Sequence, residues 1–198
     1  MSKEYIVLHH SAGVDHPTLP DFDSIRNYHM KTRGYRDIGY HWVVEKVGNV
    51  LVAKKGRPEK EDAAACPGMN TRAIHICCVG NFMVETPTPE LYRFVAGLCK
   101  DIATRWPIKY IGGHRDYYAT ACPGQKFDVE MVRKYFKEGN SVGQEKTPCK
   151  IVIRGKEFPG YLQRATTYFE EGVSVREVIE ALQPSIGWDS KTLTVEVK

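Results

Sequence analysis

Between Lys137 and Pro148 the chain reads KEGNSVGQEKTP, a stretch almost without apolar side chains, and no single hydrophobic core can run through it. The 198 residues therefore divide into a larger unit, residues 1–138, a linker, residues 139–149, and a small unit, residues 150–198. Both pieces have a size at which a domain can hold its own core.

In the larger unit, short apolar runs alternate with helical patterns. Tyr5–His10 reads as a strand, and Asp21–Thr32 as a helix entered after Pro20 and left before Gly34. Tyr40–Glu45 and Val50–Ala53 form a hairpin pattern around Gly48-Asn49, and Ile74–Val79 reads as a buried strand. Thr88 followed by Pro89 starts a helix running to about Arg105, whose stripe of Leu91, Phe94, Val95, Leu98, Cys99 and Ile102 has helical period. A short strand near Tyr110 leads into Gly112-Gly113-His114, and Asp128–Phe136 is a closing helix. This order predicts an α/β fold with a mixed central β-sheet flanked by helices. The small unit predicts a β-β-α-β module. Its strands are Ile151–Arg154, Tyr161-Leu162 and Thr192–Val197, and its helix carries a Ser174/Glu177 capping box.

Charge excludes little. Residues 150–198 carry as many Lys and Arg as Asp and Glu, so the formal net charge of +4 sits in residues 1–149, a balance compatible with an anionic polymer. No apolar run approaches the roughly 20 residues that span a bilayer, so stable membrane insertion is not expected. Met1–His10 passes straight into a strand without the apolar region of a signal peptide, which predicts synthesis in the cytoplasm. In that compartment the six cysteines are expected to be reduced. Cys77, Cys78 and Cys99 fall in buried patterns, leaving Cys66, Cys122 and Cys149 for chemistry.

The segment Gly113-His114-Arg115-Asp116-Tyr117-Tyr118-Ala119-Thr120-Ala121-Cys122-Pro123-Gly124 places an imidazole and a thiol eight residues apart in a loop. A histidine from the end of the first strand, His9 or His10, completes three ligands, the number a catalytic zinc site uses when it keeps one position open. Neighbouring strand residues face opposite ways, so only one of the two can join, and spacing does not say which. The same residues also admit a cysteine hydrolase, with Cys122 as nucleophile and His114 as base.

Four motifs in order sharpen this: Val7-Leu8-His9-His10-Ser11-Ala12; Tyr28-His29 with Gly34-Tyr35-Arg36-Asp37-Ile38-Gly39-Tyr40-His41-Trp42; Gly68-Met69-Asn70; and Gly113-His114 through Ala121-Cys122-Pro123. Together they resemble the zinc-dependent N-acetylmuramoyl-L-alanine amidases of the phage lysozyme and peptidoglycan recognition protein superfamily, over roughly residues 4–136. The resemblance implies His9, His114 and Cys122 as ligands of a Zn2+ ion, and Tyr40 and Thr120 as catalytic residues. Thr120 stands at a position held by lysine in the phage enzymes and often by threonine or serine in relatives, and would donate one hydrogen bond to the developing oxyanion. It implies bacterial peptidoglycan, not nucleic acid, as the partner. The expected reaction is hydrolysis of the amide between N-acetylmuramic acid and L-alanine, in an endolysin made in the cytoplasm and given access to the wall by membrane permeabilisation. The alternative within the superfamily is a noncatalytic recognition protein that binds peptidoglycan without cutting it.

One departure stands out: relatives carry a histidine where this chain has Ala65, next to Cys66. His29 is expected to buttress the fold or line the groove, His75 to be a core histidine bonded to a neighbour, and His16 to lie at the surface. The small unit, through Ile153-Arg154-Gly155-Lys156-Glu157, Ser174–Leu182 and Gly187–Val195, resembles the stalk-type domain first named in copper amine oxidases. That implies wall attachment or homodimerisation, and with no histidine beyond His114 nothing points to copper.

Overall fold

The computed structural model describes residues 2–13, 21–47, 50–138, 147–153, 156–163, 166–169, 186–189 and 194–197. The chain forms two compact units, Met1–Gly139 and Asn140–Lys198.

The first unit is built on a sheet of order β3-β2-β4-β1-β5, from β1 (Tyr5–His10), β2 (Trp42–Val47), β3 (Val50–Lys55), β4 (Ala73–Cys78) and β5 (Tyr110–Gly113). β1 runs parallel to both β4 and β5, β2 parallel to β4, and β3 closes one edge antiparallel to β2. β1 and β4 lie inside the sheet with both faces covered, which is why each reads as an unbroken apolar run.

The two faces do different work. Ile6, Leu8, Trp42, Val44, Ile74 and Ile76 point to one side. There they pack on α2 (Pro89–Ala103) through Leu91, Val95, Cys99 and Ile102, and on α3 (Val129–Lys137) through Val129 and Val132. Thr88 caps α2 by accepting the Leu91 N–H at 3.2 Å, as its position before Pro89 predicts. The other face carries Val7 and Ala73 under Cys66 and Met69, and Val43 and Cys77 beside Phe22 and Ile25 of α1 (Asp21–Asn27). α1 continues as a π-helical turn, Tyr28–Thr32, so the expected helix Asp21–Thr32 is present with its last turn widened. Among the described residues no helix is long and apolar enough to cross a membrane.

In the second unit β6 (Thr147–Ile153), β7 (Lys156–Gln163), β8 (Thr166–Phe169), β9 (Ile186–Asp189) and β10 (Thr194–Val197) form a sheet of order β8-β7-β6-β10-β9. The expected β-β-α-β pattern missed β8 and β9, whose four residues each are too few for an alternation to show. β6 also starts before the expected end of the linker. β6 and β10 are parallel, a pairing that needs a crossover connection. The helix expected at the Ser174/Glu177 capping box, like His16, lies outside the described residues.

Candidate metal centre

The site forms at the carboxyl ends of β1 and β5, where ligands gather in open α/β sheets. Register brings them together: Leu8 pairs with Gly113, so His9 and His114 are the next residues on adjacent parallel strands. Their ring centroids are 4.6 Å apart. The choice between His9 and His10 is settled by the faces. His9 is 1% exposed and lies on the side away from α2 and α3, whereas the Nδ1 of His10 accepts the Phe82 N–H at 3.2 Å.

Cys122 arrives from the loop that follows the short 3-10 turn His114–Asp116. Its Sγ stands 3.7 Å from His9 Nδ1 and accepts the His10 N–H at 3.4 Å. Three contacts hold the loop in place. The Arg115 N–H donates to the Cys122 carbonyl at 2.8 Å, and the Arg115 guanidinium donates to the carbonyls of Gly124 (2.7 Å) and Phe127 (2.9 Å). Thr120 Oγ1 accepts the Cys122 N–H at 3.2 Å. Gly124 has φ 103°, and a Cβ there would lie 2.4 Å from the Phe82 carbonyl carbon, so only glycine fits.

Ligand atoms of His9, His114 and Cys122 all lie within 4.8 Å of one another. A tetrahedral ion with bonds of about 2.0–2.1 Å to nitrogen and about 2.3 Å to sulfur would set an N and an S about 3.6 Å apart, close to the spacing found. His114 Nε2 is buried with no hydrogen-bond partner among the described residues, an orphan that a metal ion would satisfy. Burial first, then the neighbouring His75, His114 and His10, hold His9 well below the ordinary imidazole range; burial also lowers His114. Both are thus neutral, the form that binds metal. The residues present fit a zinc ion.

Burial pushes the Cys122 thiol up to about 11. A cysteine nucleophile needs the opposite shift, so this burial weighs against Cys122 as a nucleophile.

Tyr40 lies just ahead of β2 and not within it as the strand pattern suggested. Its ring is 5.1 Å from that of His9 and 5.3 Å from that of His29. Burial, followed by Cys77 and Cys122, holds its phenol well above the ordinary range, so it keeps its proton and can donate. His29 accepts the Gly39 N–H at 3.0 Å and contacts Tyr35, which makes it a buttress for the Tyr40 segment. Thr120 is exposed on the Cys122 loop, with its hydroxyl proton free to donate.

Asn70 is structural, its Oδ1 accepting the N–H groups of Ala65 (2.9 Å) and Cys66 (2.8 Å). Cys66 is fully buried against Val7, Met69 and Ala73, with its thiol 3.7 Å from the Pro67 carbonyl, outside the donor cluster. The sequence reading missed two things. Arg115 ties the turn of His114 to the loop of Cys122, and the neighbour to which His75 bonds is His9 itself, at 2.9 Å. The only signal for the second was a histidine inside an apolar run.

Residues 1–125 match the family described as N-acetylmuramoyl-L-alanine amidase (Amidase_2). The chain is 32% identical over 127 residues to peptidoglycan-recognition protein SC2 of Drosophila melanogaster, covering 61% of this chain and 67% of that protein. It is 32% identical over 144 residues to the N-acetylmuramoyl-L-alanine amidase of Homo sapiens, covering 67% of this chain and 24% of that one. Among solved structures it resembles the endolysine N-acetylmuramoyl-L-alanine amidase LysCS from Clostridium intestinale URNW. The TM-score is 0.58 at 33% identity, over 67% of this chain and 82% of the other.

Proposed function

Because the chain belongs to the N-acetylmuramoyl-L-alanine amidase family, we propose that it is a zinc-dependent peptidoglycan hydrolase that cuts the amide between the lactyl group of N-acetylmuramic acid and L-alanine. The observation that carries this reading is the convergence of His9, His114 and Cys122, neutral and mutually within ligand distance, from two strand ends and a loop. A recognition protein needs a groove; it has no need of a complete donor set.

His9, His114 and Cys122 would hold the ion, which would supply a Lewis acid able to polarise the carbonyl under attack and acidify water. Tyr40, kept protonated by its burial, donates a hydrogen bond to the oxygen on which negative charge develops. Thr120 adds a second donor. Being neutral, it contributes less there than the lysine of the phage enzymes, so Tyr40 carries more of this protein's own contribution. The oxygen of water forms a bond to the lactyl carbonyl carbon, the C–N bond breaks, and the products are a lactyl carboxylate and the alanine amine, which takes up a proton from the water consumed. The likeness to an endolysine supports an endolysin role, in which the enzyme is made in the cytoplasm and reaches the wall once the membrane is permeabilised. The second unit then serves wall attachment or self-association.

The test is digestion of purified peptidoglycan by native protein, chelated protein and Cys122→Ala. Native protein should release N-terminal L-alanine without new reducing sugar ends, and the other two should release neither. New reducing ends would show that another bond is cut. Binding without cleavage, even with added zinc, would make the protein a recognition module.

A further inference from the structure

Behind the donor cluster lies a chain of buried imidazoles whose hydrogen bonds fix the direction of every proton. His75 Nε2 is 3.3 Å from the Met69 carbonyl, and a carbonyl only accepts, so His75 carries its proton on Nε2 and presents a lone pair at Nδ1. That lone pair faces His9 Nε2 at 2.9 Å, so His9 Nε2 is the donor. His9 Nδ1 is left unprotonated, and this is the atom turned toward Cys122 Sγ.

A turned His75 ring would give up both of its hydrogen bonds, to His9 and to Met69, and its backbone is held by a second buried histidine. The His75 backbone N–H donates to His41 Nδ1 at 2.9 Å, its carbonyl accepts the His41 N–H at 3.0 Å, and His41 Nε2 is anchored on the Glu61 carbonyl at 3.0 Å. The same carbonyl accepts from the Lys3 ammonium at 3.0 Å. His9, His41 and His75 are at most 1% exposed, so no bulk water competes for these bonds.

We infer that His75 is a positioning residue for the metal centre: it holds His9 as the Nε2–H tautomer, so that Nδ1 is the ligand atom and needs no proton removed when zinc binds. This rests on the zinc reading proposed above. A histidine free to sample both tautomers would spend part of its time with Nδ1 protonated, and its ring would rotate about Cβ. Removing such an outer partner typically weakens metal affinity by about 10–100-fold.

Three proteins test this: the full chain as wild type, His75→Leu, and His75→Asn, whose Oδ1 can take the place of Nδ1 as acceptor. In metal-free wild type, nitrogen NMR of the imidazoles should show the His9 proton on Nε2. Zinc affinity, measured by competition with a chromophoric chelator, should fall about 10–100-fold in His75→Leu and return close to wild type in His75→Asn. A His9 proton on Nδ1 in the wild type, or equal zinc affinity in all three proteins, overturns the inference. The tautomer measurement decides even if His75→Leu does not fold. The two ideas fail differently: a wild type with the stated tautomer but no zinc affinity refutes the metal reading and with it the role of His75, whereas zinc affinity in the wild type that is unchanged in His75→Leu refutes the role of His75 alone.

Discussion

Replacing Arg115 with Met should loosen the loop that presents Cys122 without touching any donor atom. The guanidinium makes two hydrogen bonds, to the carbonyls of Gly124 and Phe127, at 2.7 and 2.9 Å. Bonds from a charged donor contribute about 1.5–3 kcal/mol each. Arg115 is an exposed residue, so the lower end applies, and two such bonds amount to about 3 kcal/mol. Met retains most of the aliphatic stem, so little packing is lost with the charge. For a unit of this size 1 kcal/mol corresponds to about 4 °C in Tm, which predicts a fall of roughly 10 °C. Thermal unfolding followed by circular dichroism measures it. A second readout is local: in a Cys149→Ser background, the metal-free variant should react faster with a thiol reagent, because Cys122 is the one half-buried thiol among described cysteines that are otherwise buried. If Tm and thiol reactivity both match the parent, the Arg115 staple does not hold the loop, and the argument from these bonds is wrong.

Tyr40→Phe should leave Tm almost unchanged and lower kcat by about 100–1,000-fold, the usual cost of one oxyanion donor, with KM little affected; a wild-type kcat would remove Tyr40 from the chemistry. Gly124→Ala should destabilise the first unit by at least about 1–2 kcal/mol, since φ 103° is costly for any residue with a Cβ and the Phe82 backbone leaves no room; equal urea midpoints would contradict this. The folded state lowers His41 from 6.5 to about 3, chiefly by burial. A depressed value favours the neutral form, so this contribution is fully present above pH 6.5 and is lost as pH falls toward 3. The slope is at most about 1.4 kcal/mol per pH unit. Urea unfolding between these limits should therefore show a shallower pH dependence for His41→Gln than for wild type, and parallel curves would refute it.

Most of the first unit could be read from local pattern because its elements announce themselves locally. Thr88 and Pro89 start α2, the Leu91/Val95/Cys99/Ile102 stripe faces it inward, and the apolar runs Tyr5–His10 and Ile74–Val79 cover β1 and β4. The residues of the His9, His114 and Cys122 cluster were legible too, through the spacing of His114 and Cys122 and the order of four motifs. Tyr40 was placed one element too far along. Its run of aromatic and β-branched neighbours looks like strand, yet the backbone there bends to bring Gly39 under His29 and Ala64. In the second unit β8 and β9 were too short to show a period.

What local pattern could not show was set by register. His9 and His10 are equivalent as a dipeptide, and only the side on which α2 and α3 pack decides which of them reaches the site. The partnership of His9 with His75 has the same origin. Val7 aligns with His75 and His9 with Cys77, so the two imidazoles are diagonal neighbours on one face of a parallel pair; a shift of a single residue would turn His75 into the helical core. Sixty-six residues separate them, and no periodicity reaches that far. The identity of a candidate donor can therefore be read from a motif, but the nitrogen it would present to a metal is a property of the assembled sheet, and substitutions that shift the pairing of β1 with β4 should disperse the cluster even when His9, His114 and Cys122 are all intact.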